Sequence, residues 1–282
     1  MTAFGHHPTS EATPAKASRI TLVGTGMLPT RDVTSGGMEA IRSAEIVVYF
    51  APWPGIGRWL TELGARRVED ISSLYRLNGV DSENYDAILK ALLSLAREYG
   101  DVAYLVPGNP HLGVSNTTSL TKLARELGDL EIAVIPGVSS FDTIATDLDV
   151  DYLSRGTTVI DSNRLLMYKI KLDSTLGVLI YHPASVGNAR VDFEEPWRSN
   201  NLSLLQDYLL RTYDAGHPYY AVVSASAPGR NPEVNRGELG RLAADVRLFQ
   251  YGSSLYVPPA TDFDLDEEFV RHLAGTLADN QT

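Results

Sequence analysis

The sequence predicts an α/β protein made of two consecutive α/β domains, and three observations carry the prediction. Arg19-Ile20-Thr21-Leu22-Val23 is a short β-prone run ending in Gly24-Thr25-Gly26-Met27-Leu28-Pro29. A helical pattern and a second apolar run, Ile46-Val47-Val48-Tyr49-Phe50, follow it. Strand, glycine loop, helix, strand is the pattern of a parallel βαβ unit. Next, two later apolar runs, 102–106 and 132–135, each stop abruptly in a Pro/Gly loop, as buried strands do when they deliver an open loop at their carboxyl ends. In a parallel sheet such loops point the same way, and open α/β sheets bind ligands just beyond those ends. Finally, the pattern changes after Asp151, which places a domain boundary near residues 149–155.

Residues 1–18 are polar, without periodicity, and read as a disordered tail; His6-His7 within it lacks the further ligands a metal site requires. The first domain spans 19–150. Its opening Gly24-Thr25-Gly26 turn lacks the third glycine of a dinucleotide fingerprint. Thr34 or Ser35 caps a helix carrying Met38, Ile41 and Ala44 at helical spacing. After the second strand, loop and short helix run to Gly64, with Trp53 and Trp59 as packing anchors, and residues 66–71 form an edge strand. Asp81 or Ser82 caps an amphipathic helix with Tyr85, Ile88, Leu89, Leu92, Leu93 and Ala96 on its apolar side, stopped near Gly100. The strand 102–106 then delivers Pro107-Gly108-Asn109-Pro110-His111-Leu112-Gly113-Val114-Ser115-Asn116, a loop in which glycine permits close backbone approach and proline stiffens the path. A helix from Ser119 to Leu127, with Leu120, Leu123, Ala124 and Leu127 inward, leads to the buried strand 132–135, the loop Pro136-Gly137-Val138-Ser139-Ser140 and a helix to about residue 147.

In the second domain, 151–260, strands are expected at 156–161, 177–181, 219–226 and 248–257, the last broken at Gly252. Helices are expected at 202–213 and around 238–244, and an acidic extension closes the chain from 261 to 282.

Composition narrows the function. An apolar content of 44% and a charged content of 21% are those of a globular protein, and 282 residues suffice for two modest domains. A net charge of -11 argues against a nucleic-acid partner, because phosphate binding needs a basic stripe. With no cysteine there are no disulfides, thiolate metal sites or thiol nucleophiles. No apolar run reaches the length of a membrane span and no hydrophobic signal region opens the chain, so a cytoplasmic location is expected. No His-Glu-x-x-His pair, phosphate-binding Gly-Lys-Ser/Thr loop or Gly-x-Ser-x-Gly elbow occurs, and the histidines are scattered; no metal site is expected.

Three ordered blocks, Val23-Gly24-Thr25-Gly26, Gly108-Asn109-Pro110 and Ile135-Pro136-Gly137-Val138-Ser139-Ser140, resemble those of the tetrapyrrole methylase superfamily. The resemblance implies a methyltransferase of two α/β domains with S-adenosylmethionine in the cleft between them. Leu179-Ile180-Tyr181-His182-Pro183-Ala184-Ser185-Val186-Gly187, Asp192-Phe193, Tyr213-Asp214-Ala215-Gly216-His217-Pro218 and Leu255-Tyr256-Val257-Pro258-Pro259 are similar to segments of borosin peptide backbone N-methyltransferases. By that resemblance the donor contacts fall on Gly24, Gly26 and Met27, on Gly108, Asn109, Pro110 and Val114, on Ser139 and Ser140, and on Tyr181, His182 and Ser226. Many relatives have Gly-Pro-Gly where this chain has Gly26-Met27-Leu28, and Asp or His at Asn109. Borosin enzymes carry two catalytic tyrosines ten residues apart with an arginine four before the second. Tyr75 and Tyr85 have that spacing, Asp81 stands at the arginine position, and Arg76, directly after Tyr75, is the nearby guanidinium expected to substitute for it. The alternative for each tyrosine is packing, in the case of Tyr85 on the apolar side of its helix.

The resemblance further implies a homodimer acting on a ribosomal precursor peptide, expected here as a separate chain because no apolar core peptide follows Pro259. Two alternatives stay open: a tetrapyrrole or other small natural product as acceptor, and a silent partner subunit that binds donor or peptide.

Overall fold

The computed structural model describes residues 18–50, 55–76, 79–189, 194–227 and 229–279. Of the expected tail, residues 1–17 lie outside the described residues while Ser18 opens the first strand; Trp53 and Asp192-Phe193 also lie outside them, as do the side chains of Asp81, Ser115, Asn116 and 275–279. The chain forms two compact units. One holds the described residues through Tyr75 and from Ser82 to Val138; the other holds the described residues among 76–81 and those from Ser139 onward.

The first unit is a five-stranded sheet of β1 (Ser18–Gly24), β2 (Ile46–Tyr49), β3 (Val68–Asp70), β4 (Asp101–Val106) and β5 (Leu130–Ile135) in the order β3-β2-β4-β1-β5, with every pairing parallel. After the one-turn helix α1 (Pro29–Asp32), α2 (Ser35–Ser43) and α3 (Ile56–Leu63) cover one face, where Ile41, Ile56 and Leu60 pack with Val23, Val47, Ala103 and Leu105. The other face carries α4 (Asp81–Tyr99) and α5 (Ser115–Leu127), through Ile88, Leu92, Ala96 and Leu120 against Ile20, Leu22, Val48 and Tyr104. Burying Ile88 and Leu92 completely contributes roughly 1.5–3 kcal/mol each.

Local chemistry sets the boundaries. Thr34 caps α2, its Oγ1 accepting the Gly37 N–H at 3.1 Å. Gly100 and Gly128 follow α4 and α5 with positive φ. Two expectations change. Leu127, the last residue of α5, is 40% exposed rather than inward. β5 is an edge strand, only partly buried, since one of its sides has no neighbouring strand.

The second unit is a mixed sheet of β6 (Thr157–Asp161), β7 (Gly177–Tyr181), β8 (Pro218–Val223), β9 (Glu233–Glu238) and β10 (Ser254–Val257), ordered β6-β7-β10-β8-β9. Only β6 and β7 pair parallel; β10 runs antiparallel between β7 and β8, and β9 is antiparallel to β8. Helix α6 (Ser140–Leu148) packs Phe141, Ile144, Ala145 and Leu148 on one face, against Leu179, Val222 and Tyr256. This packing takes α6 into the second unit, so the chain divides between Val138 and Ser139, before the boundary expected at 149–155. The opposite face carries α7 (Ser162–Met167) and α8 (Leu202–Leu209), through Leu165, Leu202, Leu205 and Leu209.

Strand β9 was not expected. Its Glu-Val-Asn-Arg-Gly-Glu composition has no buried alternation, because an exposed edge strand is held by backbone pairing alone. Residues 239–241 and 246–248 form 3₁₀ turns where a helix and the start of a strand were expected. Helix α9 (Glu267–Asp279) follows the acidic segment.

Candidate active site

In the first unit all five strands run parallel, so their exit loops share one edge. The chain leaves β1 towards β2 and leaves β4 towards β5, on opposite sides, although β1 and β4 are neighbours. Such a switch point opens a crevice between the two exit loops. There Gly26 and Gly108 form an antiparallel bridge: the Gly26 N–H donates to the Gly108 carbonyl at 3.2 Å, and the Gly108 N–H to the Gly26 carbonyl at 3.0 Å. The third exit loop joins them. A Cβ on Gly137 would lie 2.5 Å from the Gly108 carbonyl oxygen and 2.7 Å from the Gly24 carbonyl, and one on Gly24 would collide with the Gly137 nitrogen. Three strand ends therefore meet backbone to backbone, at a spacing only glycine permits.

Side chains brace this cradle. The Asn109 Oδ1 accepts the His111 N–H at 2.9 Å, so the carboxamide shapes its own loop. Pro110 is buried and Val114 half-buried ahead of α5. Beyond Gly26, Met27 is half-buried, and the Asp32 carboxylate accepts the Leu28 N–H at 2.8 Å while pairing with Arg31. Burial pushes the Asp32 carboxyl upward, but the Arg31 guanidinium and the backbone donors outweigh it and hold the group below the usual carboxylate range.

The two tyrosines come together at the same edge. Tyr75 follows β3 through the turn Ser72–Leu74, and Tyr85 lies in the first turns of α4. Their ring centroids are 6.4 Å apart at 65°, edge to face. Tyr75 also stacks on Phe50, the residue after β2, at 4.9 Å and 26°. Both rings are half-buried, so packing orients them while part of each ring stays accessible. Arg76 is exposed and falls in the second unit.

In the second unit Ser139 precedes α6 and donates its N–H and Oγ–H to the Asp142 carboxylate at 2.8 and 2.7 Å. Ser140 donates to the Tyr181 hydroxyl at 3.3 Å. Burial, reinforced by the Asp142 charge, pushes the Tyr181 phenol up to about 12, so it stays protonated at neutral pH. His182 follows with φ +57°, its Nδ1 2.8 Å from Asp161 Oδ2. Ser226 is exposed beyond β8.

Sequence reasoning missed Ser224, which joins α6 to the end of β8. The Thr143 hydroxyl donates to Ser224 Oγ, and Ser224 donates to Asp147, each at 2.7 Å. Residues so far apart in the chain leave no spacing signal. It also missed Asp161-Ser162-Asn163, whose signal is a run of short polar side chains at a strand end. A 380 Å³ cavity in this unit, lined by Arg155, Thr157, Tyr220, Tyr256 and Pro258 among others, contains none of the expected donor-contact or catalytic residues. Among the described residues no three potential metal ligands cluster, and no helix is long and apolar enough to cross a membrane.

Comparison with known proteins follows the same architecture. A methyltransferase/ribosomally synthesized type II borosin cyclic peptide precursor of Phlebiopsis gigantea, pgiMA1, is 24% identical over 254 residues, covering 89% of this chain and 45% of that protein. The type I borosin precursor sveMA of Serendipita vermifera is 25% identical over 267 residues, covering 94% of this chain and 64% of the relative. The chain thus spans about half to two thirds of the length of these two relatives. Among solved structures, uroporphyrin-III-C-methyltransferase from Thermus thermophilus superposes with a TM-score of 0.60 at 19% identity over 86% of this chain and 93% of that one, which establishes a shared fold. Residues 19–243 match the family model of tetrapyrrole (corrin/porphyrin) methylases. The chain belongs to the tetrapyrrole methylases and carries the S-adenosylmethionine-dependent methyltransferase fold of that family.

Proposed function

We propose that this chain methylates backbone amide nitrogens of a ribosomally made peptide, with S-adenosylmethionine as methyl donor. The observation that carries the reading is the Tyr75–Tyr85 pair, 6.4 Å apart at the sheet edge where the three glycine loops meet. The similarity to borosin precursors supports the peptide acceptor. A net charge of -11 speaks against a polycarboxylate tetrapyrrole, which calls for a basic cleft.

The loops fit the donor. Gly24, Gly108 and Gly137 hold three strand ends backbone to backbone, with Gly26 bridged to Gly108, and the exit loops they shape would line the donor. Met27, Asn109, Pro110 and Val114 would complete its wall in the first unit; the family resemblance also assigns donor contacts to Ser139, Ser140, Tyr181, His182 and Ser226. When bound, S-adenosylmethionine supplies an electrophilic methyl group on sulfonium. The protein's task is to make an amide nitrogen nucleophilic, which requires weakening its N–H and stabilising charge on its carbonyl oxygen. A phenol hydroxyl of Tyr75 or Tyr85 would hydrogen-bond the carbonyl oxygen, and the other, as phenolate, would accept the amide proton. Arg76 is the proposed source of positive charge, since Asp81 stands where the borosin pattern has arginine. Exposed apolar side chains at Leu153, Met167, Tyr168 and Leu204 favour the proposed homodimer.

The test is to incubate the purified protein and S-adenosylmethionine with leader-bearing peptide supplied as a separate chain, and to locate methyl groups by tandem mass spectrometry. Backbone N-methylation is expected. Tyr75→Phe and Tyr85→Phe should each lower turnover about 10²-fold or more, as removal of an acid–base group does. Wild-type turnover in both variants would refute the assigned roles.

A further inference from the structure

The start of α7 is built around the exit of β7. In the parallel pairing of β6 and β7, Asp161 stands opposite Tyr181, so the side chains that follow β6 reach the loop that follows β7. Three consecutive residues do so. The Asp161 carboxylate takes the His182 ring through Nδ1 at 2.8 Å while its other oxygen accepts the Arg164 N–H at 2.9 Å. Ser162, fully buried, donates to the His182 carbonyl at 2.9 Å. Asn163 donates to the Ser185 carbonyl at 2.9 Å and accepts the Gly187 N–H at 2.7 Å.

His182 itself adopts φ +57°, a left-handed conformation that costs a non-glycine residue about 1–2 kcal/mol. Such a conformation persists when its surroundings over-determine it, and here the His182 carbonyl also accepts the Ser185 N–H and hydroxyl, at 3.1 and 3.2 Å. The clamp dictates the tautomer. An ionised carboxylate only accepts, so Nδ1 carries the proton and a neutral ring keeps its lone pair on Nε2. Nε2 makes no hydrogen bond among the described residues, and the side chain is 45% exposed.

We infer that Asp161 is a positioning residue: it fixes His182 in the Nδ1–H tautomer so that Nε2 accepts a hydrogen bond from an O–H or N–H group of the methyl donor. This inference rests on the proposed donor site, which includes His182 and its neighbour Tyr181. A ligand hydroxyl or amino group is the chemistry such a lone pair recognises, and a rotated ring or the other tautomer would present a donor instead.

The experiment is calorimetric titration of the full chain with S-adenosylhomocysteine, for wild type, His182→Ala, Asp161→Ala and the double variant. Loss of one neutral hydrogen bond should weaken binding roughly three- to tenfold in His182→Ala. Asp161→Ala should weaken it comparably, and the double variant no further than His182→Ala alone. Single variants that bind like wild type, or losses that multiply in the double variant, overturn the inference while leaving the donor site standing. A wild-type protein that binds neither S-adenosylhomocysteine nor S-adenosylmethionine overturns the donor reading and this inference together. Nitrogen-15 NMR of the wild-type neutral imidazole gives a readout independent of folding defects in the variants: the Nδ1–H tautomer is required, and the Nε2–H tautomer refutes the clamp.

Discussion

Gly137→Ala is the sharpest perturbation of the loop cradle. The backbone of Gly137 does not have positive φ, so alanine brings no dihedral strain and its effect is purely steric. Its Cβ would sit 2.5 Å from the Gly108 carbonyl oxygen and 2.7 Å from both atoms of the Gly24 carbonyl. Ordinary van der Waals separation is about 3.5–4.0 Å, so the β5 exit loop must move about 1 Å away from both neighbours. None of the obstructing atoms belongs to a side chain that can rotate. Forced overpacking of this kind costs roughly 1–3 kcal/mol, which lowers Tm by about 2–10 °C for a protein of this size. A displacement of about 1 Å at a positioning loop also costs about 10²-fold in function. Thermal unfolding followed by circular dichroism and titration with S-adenosylhomocysteine measure the two effects. Gly216→Ala is the control, because its added Cβ meets nothing within 4 Å and its φ is not positive. If Gly137→Ala unfolds and binds ligand as Gly216→Ala does, the three strand ends do not form the proposed cradle.

Other substitutions test neighbouring parts of the argument. The Tyr152 hydroxyl is buried without a hydrogen-bond partner among the described residues, so Tyr152→Phe should leave unfolding free energy in urea unchanged or raise it by up to about 1 kcal/mol; a clear loss would reveal a partner. Ser224→Ala removes the hydroxyl between Thr143 and Asp147 and should destabilise by roughly 1–3 kcal/mol in the same assay, whereas an unaltered midpoint would show that the α6–β8 link contributes nothing. Burial pushes the Asp161 carboxyl up, but hydrogen bonds from the His182 ring and the Arg164 N–H outweigh it and hold it below the usual range. Its stabilising contribution is therefore complete above the unfolded value of about 3.9 and is lost as pH falls through the lower folded value. Asp161→Asn should lower Tm at neutral pH and converge on wild type in acid; a pH-independent difference would refute the linkage.

Much of the first unit was legible because its determinants are local. Apolar runs closed by Pro and Gly marked β1, β2, β4 and β5, Thr34 announced α2, and Gly100 and Gly128 marked the ends of α4 and α5. The candidate loops were legible for the same reason, since glycine and proline at a strand end leave few backbone options. β9 was hidden, because edge pairing needs no apolar pattern, and so was the exposure of Leu127, because periodicity assigns a helix face but not how much of it the rest of the chain covers.

By itself, then, the sequence determined the α/β class, the order of the strand-and-loop blocks and the ten-residue spacing of Tyr75 and Tyr85. Tertiary structure alone decided the rest. It brought the two tyrosine rings within 6.4 Å of each other, set Gly24, Gly108 and Gly137 in backbone contact, tied Ser224 to Asp147 and locked His182 onto Asp161. The physical reason is separation along the chain. Contacts between residues tens of positions apart depend on strand order and register, which come from the summed packing of the sheets rather than from any local run of residues.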